Sequence, residues 1–208
     1  MYLHHTPNII QKLLPQFIWK KIEHEKVVYL TFDDGPIPDI TPWVINELEK
    51  YNAKATFFCV GDNIKKYPHI FQKLIQQGHT IGNHTFNHVK GLKSTDVQYL
   101  ENTKLCATEI EKFNINSSLF RPPHGRLKLS QVDKLKSLGY QIVMWDVLSG
   151  DFDHQLSKEK CLKKTLNATR NGSIVVFHDN IKSFDKLQFV LPLYLAALHQ
   201  QGFSFKTI

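Results

Sequence analysis

"VVYLTFDDGP", residues 27–36, places two adjacent carboxylates, Asp33 and Asp34, directly after an apolar, β-branched run and directly before a glycine and a proline. The run reads as a β-strand. Six more strands are expected from "ATFFCV" (55–60), "HTIGNH" (79–84), "SLFRP" (118–122), "QIVMWDV" (141–147), "SIVVFH" (173–178) and "FSFKTI" (203–208). Six segments of helical period lie between the seven strands. "TPWVINELEKY" carries Thr41 as its expected N-cap with Pro42 at the first helical position, and "NIKKYPHIFQKLIQQG" reads as one helix ending at Gly78. Strict alternation of strand and helix implies parallel strands with right-handed crossovers, hence an α/β sheet or barrel. In both, functional residues gather at the carboxyl ends of the strands.

A chain of 208 residues with 42% hydrophobic and 22% charged residues is sufficient for one compact domain and excludes a disordered chain. The formal charge of +7 comes from lysines scattered singly or in pairs. No arginine–aromatic alternation suggests a nucleic-acid partner, and the charge reads as a solvated basic surface. Cys59, Cys106 and Cys161 form no CxxC, so neither a disulfide framework nor a cysteine metal site is indicated. Apolar residues in the first 26 positions are interrupted by Lys12, Pro15 and Lys20, which leaves no signal-peptide core, and no stretch is apolar enough for a transmembrane segment. The chain is therefore expected to be cytoplasmic by default. Residues 1–22 are expected to be an N-terminal extension packing on a domain of residues 23–208, and no protein partner is indicated.

Ionisable groups follow five of the expected strands: Asp33 and Asp34; His84 and His88; Arg121 to Gly125; Asp146 and Asp151; and His178 with Asp179. Within "HTFNH", His84 and His88 would lie roughly 13 Å apart in an extended chain, whereas a helical turn brings them to one face. A helical turn opened by Asn83 or Thr85 is thus expected. Two histidines and one carboxylate make a three-ligand metal site with an open position, as in catalytic zinc. The same set could serve Fe(II) oxygen chemistry, which would leave one aspartate and His178 without roles. Spacing does not say which aspartate is the ligand; for both to act on one substrate the chain must bend, and Gly35 and Pro36 supply the means. Asp146 reads as a capping residue, Asp179 as loop support, Trp145 as core, and the remaining histidines, His79 among them, as surface or capping residues.

"TFDDGP", "HTFNH", "RPPHG", "WDVLSGDF" and "VFHD", in this order, resemble the five motifs of the polysaccharide deacetylase family, carbohydrate esterase family 4. The resemblance implies a distorted (β/α)7 barrel and a metal-dependent hydrolase that removes acetyl groups from an acetylated oligo- or polysaccharide containing N-acetylglucosamine. It implies Asp33 as general base, Asp34, His84 and His88 as ligands of a divalent metal (Zn²⁺, with Co²⁺ or Ni²⁺ as alternatives), and His178 as general acid. It also implies the backbone N–H of His124 as oxyanion donor, Arg121 orienting the base or lining the groove, Asp151 tuning His178, and Val176 lining the acetyl pocket. His124 stands where the family usually has an aromatic residue, Phe152 where tryptophan is usual, and Leu148 where aspartate is common. These departures bear on substrate preference and leave open two alternatives, an O-acetyl esterase of xylan type and a catalytically silent glycan-binding module.

Overall fold

The structure is a computed structural model that describes residues 2–208. Eight strands form one parallel sheet: β1 (Val27–Asp33), β2 (Thr56–Cys59), β3 (Thr80–Asn83), β4 (Leu119–Phe120), β5 (Gln141–Ile142), β6 (Val147–Leu148), β7 (Ile174–His178) and β8 (Ser204–Lys206). Their spatial order is β5-β4-β3-β2-β1-β7-β6. β8 shares one edge of β1 with β2, pairing with Val27–Tyr29 while β2 pairs with Thr31–Asp33. Eight α-helices accompany them: α1 (Asn8–Leu13), α2 (Ile40–Glu49), α3 (Gly61–Lys66), α4 (Pro68–Gln76), α5 (Asp96–Glu111), α6 (Leu129–Ser137), α7 (Lys158–Ala168) and α8 (Ile181–Gln200).

Seven strands were expected, and the difference lies in the run 141–147. This run is two strands on opposite edges of the sheet, with β5 beside β4 and β6 beside β7. Residues 143–146 cross between the edges and curl the sheet into a (β/α) barrel. The crossing exposes backbone groups that neither edge can satisfy, and the N-terminal residues bond to them. Ile18 N–H donates to Ile142 O, Thr6 N–H to Asp146 O and Leu148 N–H to His4 O, while Met144 N–H donates to Ile18 O. Trp19 is buried against the same region, in a cluster with Phe120, Ile142 and Met144.

The strands alternate two buried faces. Val28, Leu30 and Phe32 of β1 face outward onto α2 and α8, against Val44, Leu48, Leu187 and Leu191. Val27 and Tyr29 face inward, with Phe58, Leu119, Val143 and Ile174 filling the barrel. Thr31 and Asp33 continue the inward series towards the open end.

Two helix boundaries differ from expectation. Asp39, not Thr41, precedes the first residue of α2, because the Thr41 hydroxyl accepts from the Ile37 N–H and donates to Asp179 at 2.5 Å. The single helix expected over 63–78 is two, since Pro68 has no N–H to continue α3 and begins α4 instead. His79 is buried, with its Nδ1 accepting from the Ala55 N–H at 3.3 Å, and is neither a surface nor a capping residue. Burial pushes its imidazole down to about 4. No helix among the described residues is long and apolar enough to cross a membrane.

Gly82 on β3 is opposite Phe58 on β2, and a methyl group there would meet the Phe58 ring at 2.4 Å. Gly82→Ala is expected to destabilise the fold by about 1–3 kcal/mol through overpacking. A urea titration should show a lowered midpoint with an unchanged slope.

Candidate active site

The bend anticipated after β1 occurs at Asp34 itself, which has φ +88°. That left-handed conformation, unusual for a residue with a Cβ, turns the second carboxylate to the same end of the barrel as the first. Gly35 has a different task. A Cβ on it would lie 2.0 Å from Asp179 Oδ2, and its N–H donates to Asp179 Oδ1 at 3.0 Å. Only glycine lets the bend close against that carboxylate. Asp179 therefore supports the loop, and burial, with the Asp34 charge contributing, pushes its carboxyl up to about 8.

The helical turn expected at His84–His88 is absent. The residues form an irregular loop in which Thr85 (φ +64°) and His88 (φ +54°) are both left-handed. Asn83 Oδ1 accepts from the Thr85 N–H at 2.9 Å and the Thr85 hydroxyl accepts from the Val89 N–H at 3.1 Å, which holds this shape. Both imidazoles nevertheless reach Asp34: its Oδ1 lies 3.6 Å from His84 Nε2 and 3.1 Å from His88 Nε2.

These three donor atoms fit a divalent cation. The ligand atoms of Asp34, His84 and His88 lie within 4.8 Å of one another. His84 Nδ1 is 2.7 Å from the Arg121 carbonyl, which can only accept, so this nitrogen carries the proton and Nε2 presents a lone pair. Burial pushes His84 down to about 4, which keeps it neutral. Asp34 Oδ1 is buried with no hydrogen-bond partner among the described residues, an arrangement that a metal ion would satisfy. Burial alone would raise the Asp34 carboxyl, but the His88 imidazole, together with His178 and His84, holds it far below the usual carboxylate range.

Arg121 is fully buried inside the barrel. Its Nη1 donates to Asp33 Oδ1 at 2.8 Å and to the Thr31 hydroxyl at 2.6 Å, its Nε to Val143 O at 3.2 Å, and its Nη2 to Met144 O at 2.9 Å. The guanidinium also sits 4.1 Å from the Phe58 ring centre. Across the mouth, Asp151 Oδ1 pairs with His178 Nδ1 at 2.8 Å while its Oδ2 accepts the His178 N–H at 2.7 Å. Burial works to lower the His178 imidazole, and Asp151, assisted by Asp34 and Asp33, overrides it to raise the group to about 10. Asp33 and His178 are register partners on β1 and β7.

The remaining candidates lie around this centre. His124 (φ +59°) is exposed, its ring 4.8 Å from that of His88. Val176 is buried on β7, opposite Thr31, one inward position below His178. Phe152 packs edge-on to His178 at 5.3 Å. Trp145 packs with the interior clusters and against Gly125. Asp146 caps no helix: buried towards the other end of the barrel, it accepts from the Ser173 hydroxyl at 2.5 Å and Gln11 at 3.0 Å, with His5 at 3.2 Å. Two site residues escaped the sequence reading. Asn180 donates to Asp34 Oδ2 at 2.5 Å while capping α8 through Ser183 N–H, and Asn63 donates to the Asp34 carbonyl at 2.7 Å. The only signal for Asn180 was its place directly after "VFHD"; Asn63 had none.

The polysaccharide deacetylase family model matches residues 20–143. A peptidoglycan-N-acetylglucosamine deacetylase of Bacillus cereus is 34% identical over 91% of this chain and 90% of its own length. The chain belongs to the polysaccharide deacetylase family. A chitooligosaccharide deacetylase of Azorhizobium caulinodans is 32% identical over 89% of this chain and 94% of its own. Among solved structures, a peptidoglycan N-acetylglucosamine deacetylase in complex with 4-naphthalen-1-yl-N-oxidanyl-benzamide superposes with a TM-score of 0.84 at 27% identity, covering 93% of this chain and 91% of that one. As a polysaccharide deacetylase, the protein is a hydrolase that removes acetyl groups from acetylated glycans.

Two outcomes follow from the site's electrostatics. Arg121→Met leaves Asp33 buried without its counter-charge and is expected to lower unfolding free energy by about 3–5 kcal/mol in urea titrations. His178 has its pKa raised from 6.5 to about 10, so its ionic pairing stabilises the fold in full below pH 6.5, and that contribution is lost as pH rises through about 10. The stability gap between the wild type and Asp151→Asn should therefore be widest below pH 6.5 and close towards pH 10. A gap constant across that window would contradict the pairing.

Proposed function

We propose that this chain hydrolyses the N-acetyl group of N-acetylglucosamine residues in a glycan, with Zn²⁺ held by Asp34, His84 and His88. One observation carries the reading: a proton acceptor, Asp33, and an imidazole kept protonated, His178, are register partners flanking a three-ligand cluster. A bound divalent ion supplies Lewis-acid activation of water and of the acetyl carbonyl.

Everything else is done by the chain's own groups. Arg121 engages Asp33 Oδ1, which leaves Oδ2 to take the proton of the attacking water. The water oxygen bonds to the acetyl carbon, and the backbone N–H of His124 is assigned to the developing oxyanion. His178 Nδ1 is committed to Asp151, so Nε2 delivers a proton to the departing nitrogen as the carbon–nitrogen bond breaks, releasing acetate and a free amine. Val176 and Leu148 form the apolar wall assigned to the acetyl methyl. An amine is a poor leaving group without protonation, whereas an alcohol needs less help. A His178 held protonated beyond neutral pH therefore favours an amide substrate over an O-acetyl ester. The names of the relatives, peptidoglycan and chitooligosaccharide deacetylases, support the same substrate class.

Chelator-stripped protein is expected to release no acetate from tetra-N-acetylchitotetraose, and Zn²⁺ to restore release. Zn²⁺ should also raise the melting temperature by binding the folded state. Asp33→Asn should lower kcat about 10²–10⁴-fold while keeping the Zn²⁺-dependent rise in melting temperature. Full activity of that variant would overturn the assignment of Asp33.

A further inference from the structure

The chain's first residues reach the acid side of the active site. His5 bridges Val147 in antiparallel fashion, on the edge of β6 opposite β7. Leu148 N–H donates to His4 O at 3.0 Å and Thr6 N–H to Asp146 O at 2.8 Å. His4 Nδ1 lies 3.0 Å from Leu148 O, which can only accept, so this nitrogen donates. In an antiparallel pair each residue further back on one chain faces one further on along the other, so this register carries Tyr2 to Gly150 in the loop after β6. Gly150 has φ +77°, and a Cβ on it would lie 2.5 Å from Tyr2 Oη and 2.8 Å from His4 Cε1. The Tyr2 hydroxyl donates to Asp153 Oδ2 at 2.9 Å, and its ring packs on that of Phe152 at 5.1 Å.

Between Gly150 and Asp153 stand the two residues that meet His178. Asp151 binds its Nδ1 at 2.8 Å and its backbone N–H at 2.7 Å, and the Phe152 ring lies edge-on to the imidazole at 5.3 Å. Helices α7 and α8 hold this loop from one direction. Cys161 Sγ and Thr165 Oγ1 donate to Ser149 O at 3.2 and 3.3 Å, and Lys186 Nζ donates to Asp153 O. Tyr2 holds it from the N-terminal segment, touching it both before and after Asp151. Both Asp151 oxygens are committed to His178, so a shift of the loop re-aims the imidazole, and catalytic groups tolerate displacements of only about 0.5 Å.

We infer that Tyr2 is a positioning residue for proton delivery: through Phe152 and Asp153 it fixes the loop 149–153, and through Asp151 the direction in which His178 presents Nε2. This rests on the reading of His178 as the general acid of an amide hydrolase. The first residues of the chain thus complete the active site as well as packing on the barrel.

The test sets an amide against an activated ester, using the full chain loaded with Zn²⁺. A departing amine needs a proton whereas p-nitrophenolate leaves without one, so acetate release from tetra-N-acetylchitotetraose reports on the acid and hydrolysis of p-nitrophenyl acetate does not. Tyr2→Ala should lower kcat on the amide about tenfold, with KM and the ester rate each within about twofold of the wild type. Tyr2→Phe, which keeps the ring against Phe152, should recover most of that loss. Asp151→Asn should show a larger loss of the same pattern, and adding Tyr2→Ala to it should cost little more, because both act through one imidazole. Phe17→Ala removes a ring of the same segment that packs on Trp19, and should lower the melting temperature while leaving the amide-to-ester ratio in place. An equal fall on amide and ester in Tyr2→Ala, an unchanged amide rate, or losses that multiply in the double variant would overturn the assignment. If the wild type releases no acetate from the amide, the deacetylase reading fails and hydrogen exchange decides the positioning of the loop. The His178 N–H, held by Asp151, should then exchange about tenfold faster in Tyr2→Ala than in the wild type or Phe17→Ala, and an unchanged rate would sink the inference.

Discussion

The buried guanidinium of Arg121 is the constraint on which the other parts of this molecule depend. Its side chain, rising from the end of β4, engages Thr31 and Asp33 of β1 and the carbonyls of Val143 and Met144, where the chain crosses between the edges of the sheet. It thereby links barrel closure to the position of the Asp33 carboxylate. Its own carbonyl fixes the tautomer of His84. A charged side chain can be held in an apolar interior only if nearly every donor is matched and a counter-charge is present. Arg121 meets both conditions, so the geometry of the site is tied to the integrity of the barrel.

The mouth of the barrel assigns opposite protonation states to chemically identical groups. His84 is a buried imidazole and His178 a half-buried one, and loss of solvent works to lower each. His84 faces a carbonyl and stays neutral, able to donate a lone pair; His178 faces the Asp151 carboxylate and stays charged, able to donate a proton. Partner identity, set by which strand ends are adjacent, decides which function each serves. The same centre holds four residues other than glycine with positive φ, Asp34, Thr85, His88 and His124, each in a sparsely populated conformation that costs about 1–3 kcal/mol. Such conformations persist here because Asn63, Asn180, Asn83 and Thr85 supply hydrogen bonds that over-determine the loops.

The doubled aspartate illustrates how closely local sequence and tertiary packing are joined. Asp33 remains in the strand and meets Arg121; Asp34 leaves it through a left-handed turn and meets the histidines. Gly35 has no room for a Cβ because Asp179, one residue beyond His178, occupies that space. The first and fifth motifs thus form one structural unit, joined where Gly35 closes against Asp179 and Asn180 donates to Asp34.

The sequence by itself determined the parallel α/β architecture and the pool of catalytic candidates, because hydrophobic period and strand-end placement are local properties. The pairings Arg121–Asp33 and Asp151–His178 had been expected from motif resemblance and are present. Tertiary structure decided what depends on non-local partners. It split the run 141–147 between two edges, since barrel closure requires one segment to reach both. It replaced the expected helical turn at His84–His88 with a loop shaped by Asn83 and Thr85. It recruited Asn63 and Asn180, whose spacing resembles that of any turn or cap asparagine. It also laid the first residues along the open edge of β6, whose backbone groups need partners, and so brought Tyr2 to Asp153, 151 positions away in sequence.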